Sequence, residues 1–227
     1  KQEVEQLMAL DATLALPKRL LLSAKAHLVL PTYAYFDQFY ESHPDYRTIG
    51  TTKNGIAPAY AAKILRQNLR VGDIYSTRFS SELQVILQRQ YRELEQLQCD
   101  LPSLKEMEAA FLDGVTFLKT LLVTDTELYV NQALHEGKKV LAEGAQATML
   151  DIDHGTYPYV TSSSTVAGGA CTGLGVSPKK VGAIFGVTKA YTTRVGDGIF
   201  PTELAGAEAE QLRLKGGEFG SNTKRPR

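Results

Sequence analysis

The stretch "DTELYVNQALHEGKKVLAEGAQ", Asp125 to Gln146, decides the fold class. Its first part repeats apolar residues at helical spacing and stops at Gly137, a residue suited to the position just past a helix C-terminus. "KKVLA" then supplies a short apolar run, and "EGAQ" a polar loop containing glycine. A helix that feeds a short buried strand ending in a polar loop is the grammar of an α/β sheet. In such sheets the functional loops lie beyond the carboxyl ends of the strands.

The same alternation extends in both directions. "EVEQLMAL" has helical periodicity, and "AKAHLVLP" reads as a strand halted by Pro31. "SSELQVILQRQYRELEQLQC" places Leu83, Ile86, Leu87, Tyr91, Leu94 and Leu97 on one helical face, with Ser81 and Gln84 in capping-box relation. A further helix covers "SLKEMEAAFLDGVTFLKTLL", and a further strand lies in "VGAIFGVTKAYTT", ahead of the glycine-spaced "RVGDG". No internal repeat or low-complexity linker divides the chain. The expectation is one domain over residues 1–227, an α/β fold with a mainly parallel central β-sheet and flanking helices.

Composition narrows the function classes. The 227 residues are 43% hydrophobic and 22% charged, which is the globular range. Twenty-five basic residues balance twenty-five acidic ones, so no net field recruits nucleic acid or an anionic membrane, and an anionic ligand must meet a local site. No apolar run has the length of a membrane span and the N-terminus is not signal-like, so the default location is cytoplasmic. Cys99 and Cys171 form no CxxC unit and read as reduced thiols. A first residue other than methionine and the basic end "NTKRPR" suggest a fragment.

Five stretches pack poorly but suit a polar ligand. "GTTKNGIAPAY", Gly50 to Tyr60, sets glycines, threonines and a lysine before a helix with Pro58 in its first turn, an arrangement that caps a helix or binds phosphate. It is not a Walker A sequence. "EGAQATMLDIDHGTYP" brings Asp151, Asp153 and His154 together; a carboxylate metal site is the weaker reading and a turn bonded to backbone the stronger. Gln146 in that stretch can both donate to and accept from a heterocycle edge. "VTSSSTVAGGACTGLG" suits a helix cap or an anion. "TRVGDGIFPTE" offers a tight turn or backbone for a sugar, and "EFGSNTKRPR" clusters Lys224, Arg225 and Arg227.

Taken in order, "IGTTKNGIAPAY", "EGAQATMLDIDHGTYPYVTSS", "TRVGDGIFPTE" and "EFGSNTKRPR" resemble four successive blocks of the adenylosuccinate synthetase family, spread from Ile49 to Arg227. That resemblance implies a GTP-dependent ligase of purine biosynthesis joining IMP and L-aspartate, with Mg2+ required, on an incomplete P-loop-GTPase-like architecture. It implies IMP contacts from Thr52 and Thr161 to the phosphate, Gln146 to the base, and Val195 and Gly196 to the ribose. Arg66 matches an arginine that reaches the partner's IMP, which implies a homodimer. Thr223 and Arg225 match the aspartate-binding loop, and Arg227 a neighbouring arginine at the active-site anions.

The family places its GTP phosphate loop, catalytic aspartate and catalytic histidine before any of these blocks, and its guanine-reading segment after them. The resemblance therefore covers about half of a family member and assigns no catalytic acid, base or metal ligand to this chain, which is expected to be inactive alone. His154 belongs to the "DIDHGTYP" block and is not the missing acid. Ala147 stands where glycine is usual, Ser164 where asparagine is, and Asn222 and Lys224 where threonine and glycine are. A noncatalytic nucleotide-binding or dimerisation module on the same framework is the alternative.

Overall fold

A computed structural model describes residues 1–220 and 224–227. Two short strands, β1 (Leu21–Ser23) and β2 (Leu122–Thr124), pair in parallel with Leu21 opposite Leu122, Leu22 opposite Val123 and Ser23 opposite Thr124. Helices α1 (Gln2–Leu10) and α2 (Leu16–Arg19) precede β1, and α3 (Tyr33–Ser42), α4 (Ile56–Ile64), α5 (Phe79–Gln96) and α6 (Leu104–Leu118) fill the crossover between the strands. After β2 come α7 (Thr126–His135), α8 (Gly169–Leu174) and α9 (Gly206–Gly216). The class is α/β with a parallel sheet, as the alternation of helix and strand patterns implies.

The apolar core is built by the crossover. Leu28, Leu30, Tyr33 and Phe36 meet Ala59 and Ala62 of α4 and the inward stripe of α5, where Phe79, Leu83, Leu87 and Leu94 recur at helical spacing. Ile86 and Leu97 pack against this cluster part-buried, while Tyr91 stays at the rim and donates its hydroxyl to the Pro102 carbonyl at 3.1 Å. Two buried polar links are satisfied within the core: Thr32 donates to Gln90 at 2.6 Å, and Tyr33 to Asn68 at 3.0 Å.

The helix ends are set by local capping chemistry. α5 begins at Phe79, ahead of the expected Ser81–Gln84 box, and the Ser81 hydroxyl instead donates to the Arg78 carbonyl at 2.8 Å. The reciprocal box forms on α6, where the Ser103 hydroxyl accepts from the Glu106 N–H and the Glu106 carboxylate accepts from the Ser103 N–H at 3.0 Å. Asp125 caps α7 through the Leu128 N–H at 3.1 Å, and Gly137 follows that helix at a φ of 75°.

Strand positions depart further from the sequence pattern. The "AKAHLVLP" segment forms a single bridge, His27 to Arg70, and the strand lies earlier, at Leu21–Ser23. Neither residues 138–142 nor residues 181–193 are strand; Leu141 is 86% exposed and Val187 98%. An apolar run becomes a strand only when a neighbour receives its N–H and C=O groups, and among the described residues none pairs with either segment. Among those residues, buried apolar side chains all lie between Leu28 and Leu121.

This partition gives a test. Leu94, fully buried, and Leu141, 86% exposed, are chemically alike. In chemical denaturation Leu94→Ala should cost about 2–5 kcal/mol, and Leu141→Ala less than about 0.5 kcal/mol. Equal losses would place the core elsewhere.

Candidate functional site

The Gly/Thr loop that precedes α4 is held from α3 by two carboxylates one helical turn apart. Glu41 accepts from the N–H groups of Ile49 at 2.8 Å and Gly50 at 2.9 Å. Asp37, buried on the same inward face as Tyr33 and Phe36, accepts from the Thr51 hydroxyl at 3.0 Å and the Gly55 N–H at 2.9 Å. With its underside fixed, the loop leaves Thr52 exposed, its hydroxyl oxygen accepting from the Asn54 amide at 3.1 Å. Gly55 is the N-cap of α4, and Pro58 lies in the first turn of that helix as the sequence implies. Arg66, past the end of α4, is exposed at a φ of 59°.

The second polar stretch is organised around Asp151, which is 0% exposed. One carboxylate oxygen accepts from the N–H groups of Asp153 (2.9 Å) and His154 (3.0 Å), the other from those of Thr165 (2.6 Å) and Val166 (3.1 Å). Burial by itself would raise this carboxyl, but the four N–H donors outweigh it and hold it well below the usual carboxylate range. Asp151 is thus the backbone-bonded turn carboxylate of the stronger reading, and Asp153 and His154 join it through their main chain. Thr161 is tied to the same turn by its N–H, 2.8 Å from the Leu150 carbonyl. Gln146 is exposed, at a φ of 70°, whereas Ala147 at a φ of −96° adopts backbone open to any residue.

The remaining blocks converge on these loops. Arg194 donates to the Thr156 hydroxyl at 3.1 Å and the Tyr159 carbonyl at 2.8 Å, joining "RVGDG" to "GTYPY". At Gly50, φ 78°, an added Cβ would lie 2.9 Å from the Asp197 nitrogen and 3.0 Å from the Gly196 Cα, an approach that only glycine permits. Arg225 donates to the carbonyls of Gly50 at 3.1 Å and Thr51 at 3.3 Å, closing the C-terminal block over the first loop. Val195 and Gly196 therefore sit between the 49–55 loop and the Arg194 anchor. Arg227 is seated by Glu218, its N–H 2.9 Å from the Glu218 carbonyl and its guanidinium 3.5 Å from the carboxylate. Thr223 lies outside the described residues.

Of the residues singled out from sequence, Thr52, Val195, Gly196 and Arg225 come together on contacting segments, and Thr161 joins them through Arg194 and its turn. No hydrogen bond among the described residues links Thr52, Gln146 and Thr161 directly, and Arg66 lies apart from the loop. The sequence reading missed Asp37, Glu41, Arg194 and Glu218. For the first two a signal exists: carboxylates four residues apart on a helix that leads into a Gly/Thr loop.

Comparison with known proteins follows this geometry. The family model described as adenylosuccinate synthetase matches residues 1–227. The chain is 44% identical over 227 residues to an adenylosuccinate synthetase from Cytophaga hutchinsonii, covering 100% of this chain and 52% of the relative. It is 46% identical over 227 residues to one from Bacteroides fragilis, covering 100% and 53%. The structure of fully ligated adenylosuccinate synthetase from Plasmodium falciparum superposes with a TM-score of 0.86 at 37% identity, over 98% of this chain and 53% of that one. The chain thus spans about half the length of the curated relatives it matches.

Two tests follow from the loops. An NMR titration should find Asp151 ionised until well below the ordinary aspartate value of about 3.9. Its folded value is depressed, so the stability it lends the turn is complete above that value and is lost as pH falls through the folded one. A midpoint at the ordinary value would mean that the four N–H bonds do not form. Lys224 has a φ of 54°, in the left-handed region, and its N–H is 2.9 Å from the Gly220 carbonyl. Lys224→Gly should relieve the backbone at residue 224 by about 0.5–1 kcal/mol, seen as slower exchange of the residue-224 amide; faster exchange would refute backbone strain there.

Proposed function

Because the chain belongs to the adenylosuccinate synthetase family, we propose that it forms the IMP-side part of a GTP-dependent ligase of purine biosynthesis that joins IMP and L-aspartate. The observation that supports this best is the meeting of the 49–55 loop with Gly196 and Arg225, which sets exposed hydroxyl, backbone and guanidinium groups side by side. In this reading Thr52 and Thr161 take the IMP phosphate, Gln146 meets the base at its 6-position, and backbone at Val195 and Gly196 lies along the ribose. Thr223 and Arg225 take the aspartate carboxylates, with Arg227 beside them. A homodimer supplies Arg66 to the partner's IMP.

The proposed chemistry has two displacements. As N1 of IMP gives up its proton to a base of the complete ligase, the 6-oxygen attacks the γ-phosphorus of GTP and GDP leaves; the aspartate amine then attacks C6, inorganic phosphate leaves and the amine loses a proton. Negative charge moves in both steps, so held donors contribute more than a protein nucleophile would. Gln146 orients the base, and the arginine forks fix carboxylates in plane. This reading gives residues 1–227 no general acid, general base or GTP phosphate loop, so the chain alone binds IMP without turning it over.

Mg2+ enters only as a requirement of the complete ligase. Among the described residues no group of three or more His, Cys, Asp or Glu side chains could hold a metal ion, and Asp151 already has four N–H donors. Among the described residues, none forms a carboxylate set suited to Mg2+. Among the described residues no helix is long and apolar enough to cross a membrane; we place the ligase in the cytoplasm.

Thermal unfolding with IMP, and with inosine as the phosphate-free control, tests the proposal. At a hundred times its dissociation constant IMP should stabilise the chain by about 2.7 kcal/mol. Inosine should do much less, and Thr52→Val should weaken the IMP effect. Equal shifts with both ligands would remove the phosphate role of Thr52, and no shift with either would overturn IMP binding by this chain.

A further inference from the structure

Glu218 is a buried carboxylate, 7% exposed, for which neither the fold nor the proposed chemistry has so far required a charge. Lys189 donates to both of its oxygens, at 2.8 and 2.7 Å, and the Tyr191 hydroxyl donates to one at 2.9 Å. The Arg227 guanidinium stands 3.5 Å from the other. The Lys189 hydrogen bonds, opposed by burial and helped by Tyr191 and Arg227, hold this carboxyl below the usual glutamate range. One carboxylate thereby collects two cations from separate segments of the chain.

Backbone contacts show what this holds in place. The Arg227 N–H donates to the Glu218 carbonyl at 2.9 Å, the Gly220 N–H donates to the Arg225 carbonyl at 2.8 Å, and Phe219 bridges Pro226. Arg213 adds a bond from Nε to the Arg227 carbonyl at 3.2 Å. The tail is folded back on residues 218–220, and from it Arg225 reaches the Gly50 and Thr51 carbonyls. On the other side, Lys189 and Tyr191 begin the run that leads to Val195 and Gly196.

We infer that Glu218 is a positioning residue: through Lys189, Tyr191 and Arg227 it holds residues 224–227 and the 189–196 segment in register, which seats Arg225 on the carbonyls of the 49–55 loop. The inference rests on the IMP reading for its functional consequence and on geometry alone for its structural one. A buried carboxylate that loses one partner is left undercompensated, so the contacts must fail together.

The test is a double-mutant cycle on the 227-residue chain with Glu218→Gln, Lys189→Met, the pair, and Lys189→Arg as the conservative variant. Amide exchange is read at Gly220 and Arg227, with the amides of α5 reporting whether the core is folded. Glu218→Gln and Lys189→Met are each expected to speed exchange at Gly220 and Arg227 at least tenfold with α5 unchanged, the pair to be no worse than either, and Lys189→Arg to keep the protection of the unmodified chain. Additive effects, or unchanged exchange at those two amides, would overturn the inference. IMP affinity, read on the same samples, should fall about tenfold wherever the tail loosens and keep its unmodified value in Lys189→Arg. A loosened tail with wild-type IMP affinity would overturn the positioning role. If the unmodified chain binds no IMP, the functional reading fails, and the exchange data alone decide whether Glu218 seats the tail.

Discussion

Asp37 joins two kinds of structure that have little else in common. Its backbone belongs to α3, whose inward face is packed in the apolar core, and its carboxylate fixes the loop between α3 and α4 through Thr51 and Gly55. A buried carboxylate must find donors, because leaving it unpaired costs several kcal/mol. The loop N–H and hydroxyl groups are those donors, so the conformation of the loop is set by the packing of the helix. Arg225 and Gly196 then close on the face of the loop that Asp37 and Glu41 leave open.

Beyond Leu121 the described residues include no fully buried apolar side chain, and the loops that follow β2 are tied by hydrogen bonds and ion pairs. Asp151 gathers backbone N–H groups from both sides of its loop, Arg194 bridges that loop to the 194–198 turn, and Glu218 gathers Lys189, Tyr191 and Arg227. Hydrogen bonds are directional where apolar contacts are not. A segment held by them keeps small, exposed residues in fixed positions without a core of its own. The cost is apolar surface left open at Leu141, Phe185 and Val187, in a chain that spans about half of its relatives.

Departures from the family pattern acquire different weights once backbone angles are known. Ala147, in place of the usual glycine, has an ordinary φ and carries no strain. Lys224, also in place of glycine, sits at a positive φ, where a side chain is disfavoured. The two substitutions look alike in the sequence and differ in the fold. Asn222 lies outside the described residues.

The sequence by itself determined the fold class and the family. Helical periodicity located α5, α6 and α7, because an amphipathic helix carries its pattern within a few turns. The four polar blocks identified the family. Strand positions, the burial of Asp37, Asp151 and Glu218, and the seating of Arg225 on Gly50 and Thr51 were decided only by tertiary structure. The reason is the range of the interactions. A helix satisfies its own backbone, whereas a strand, a buried carboxylate and an arginine fork each need a partner far along the chain, and no local pattern names that partner.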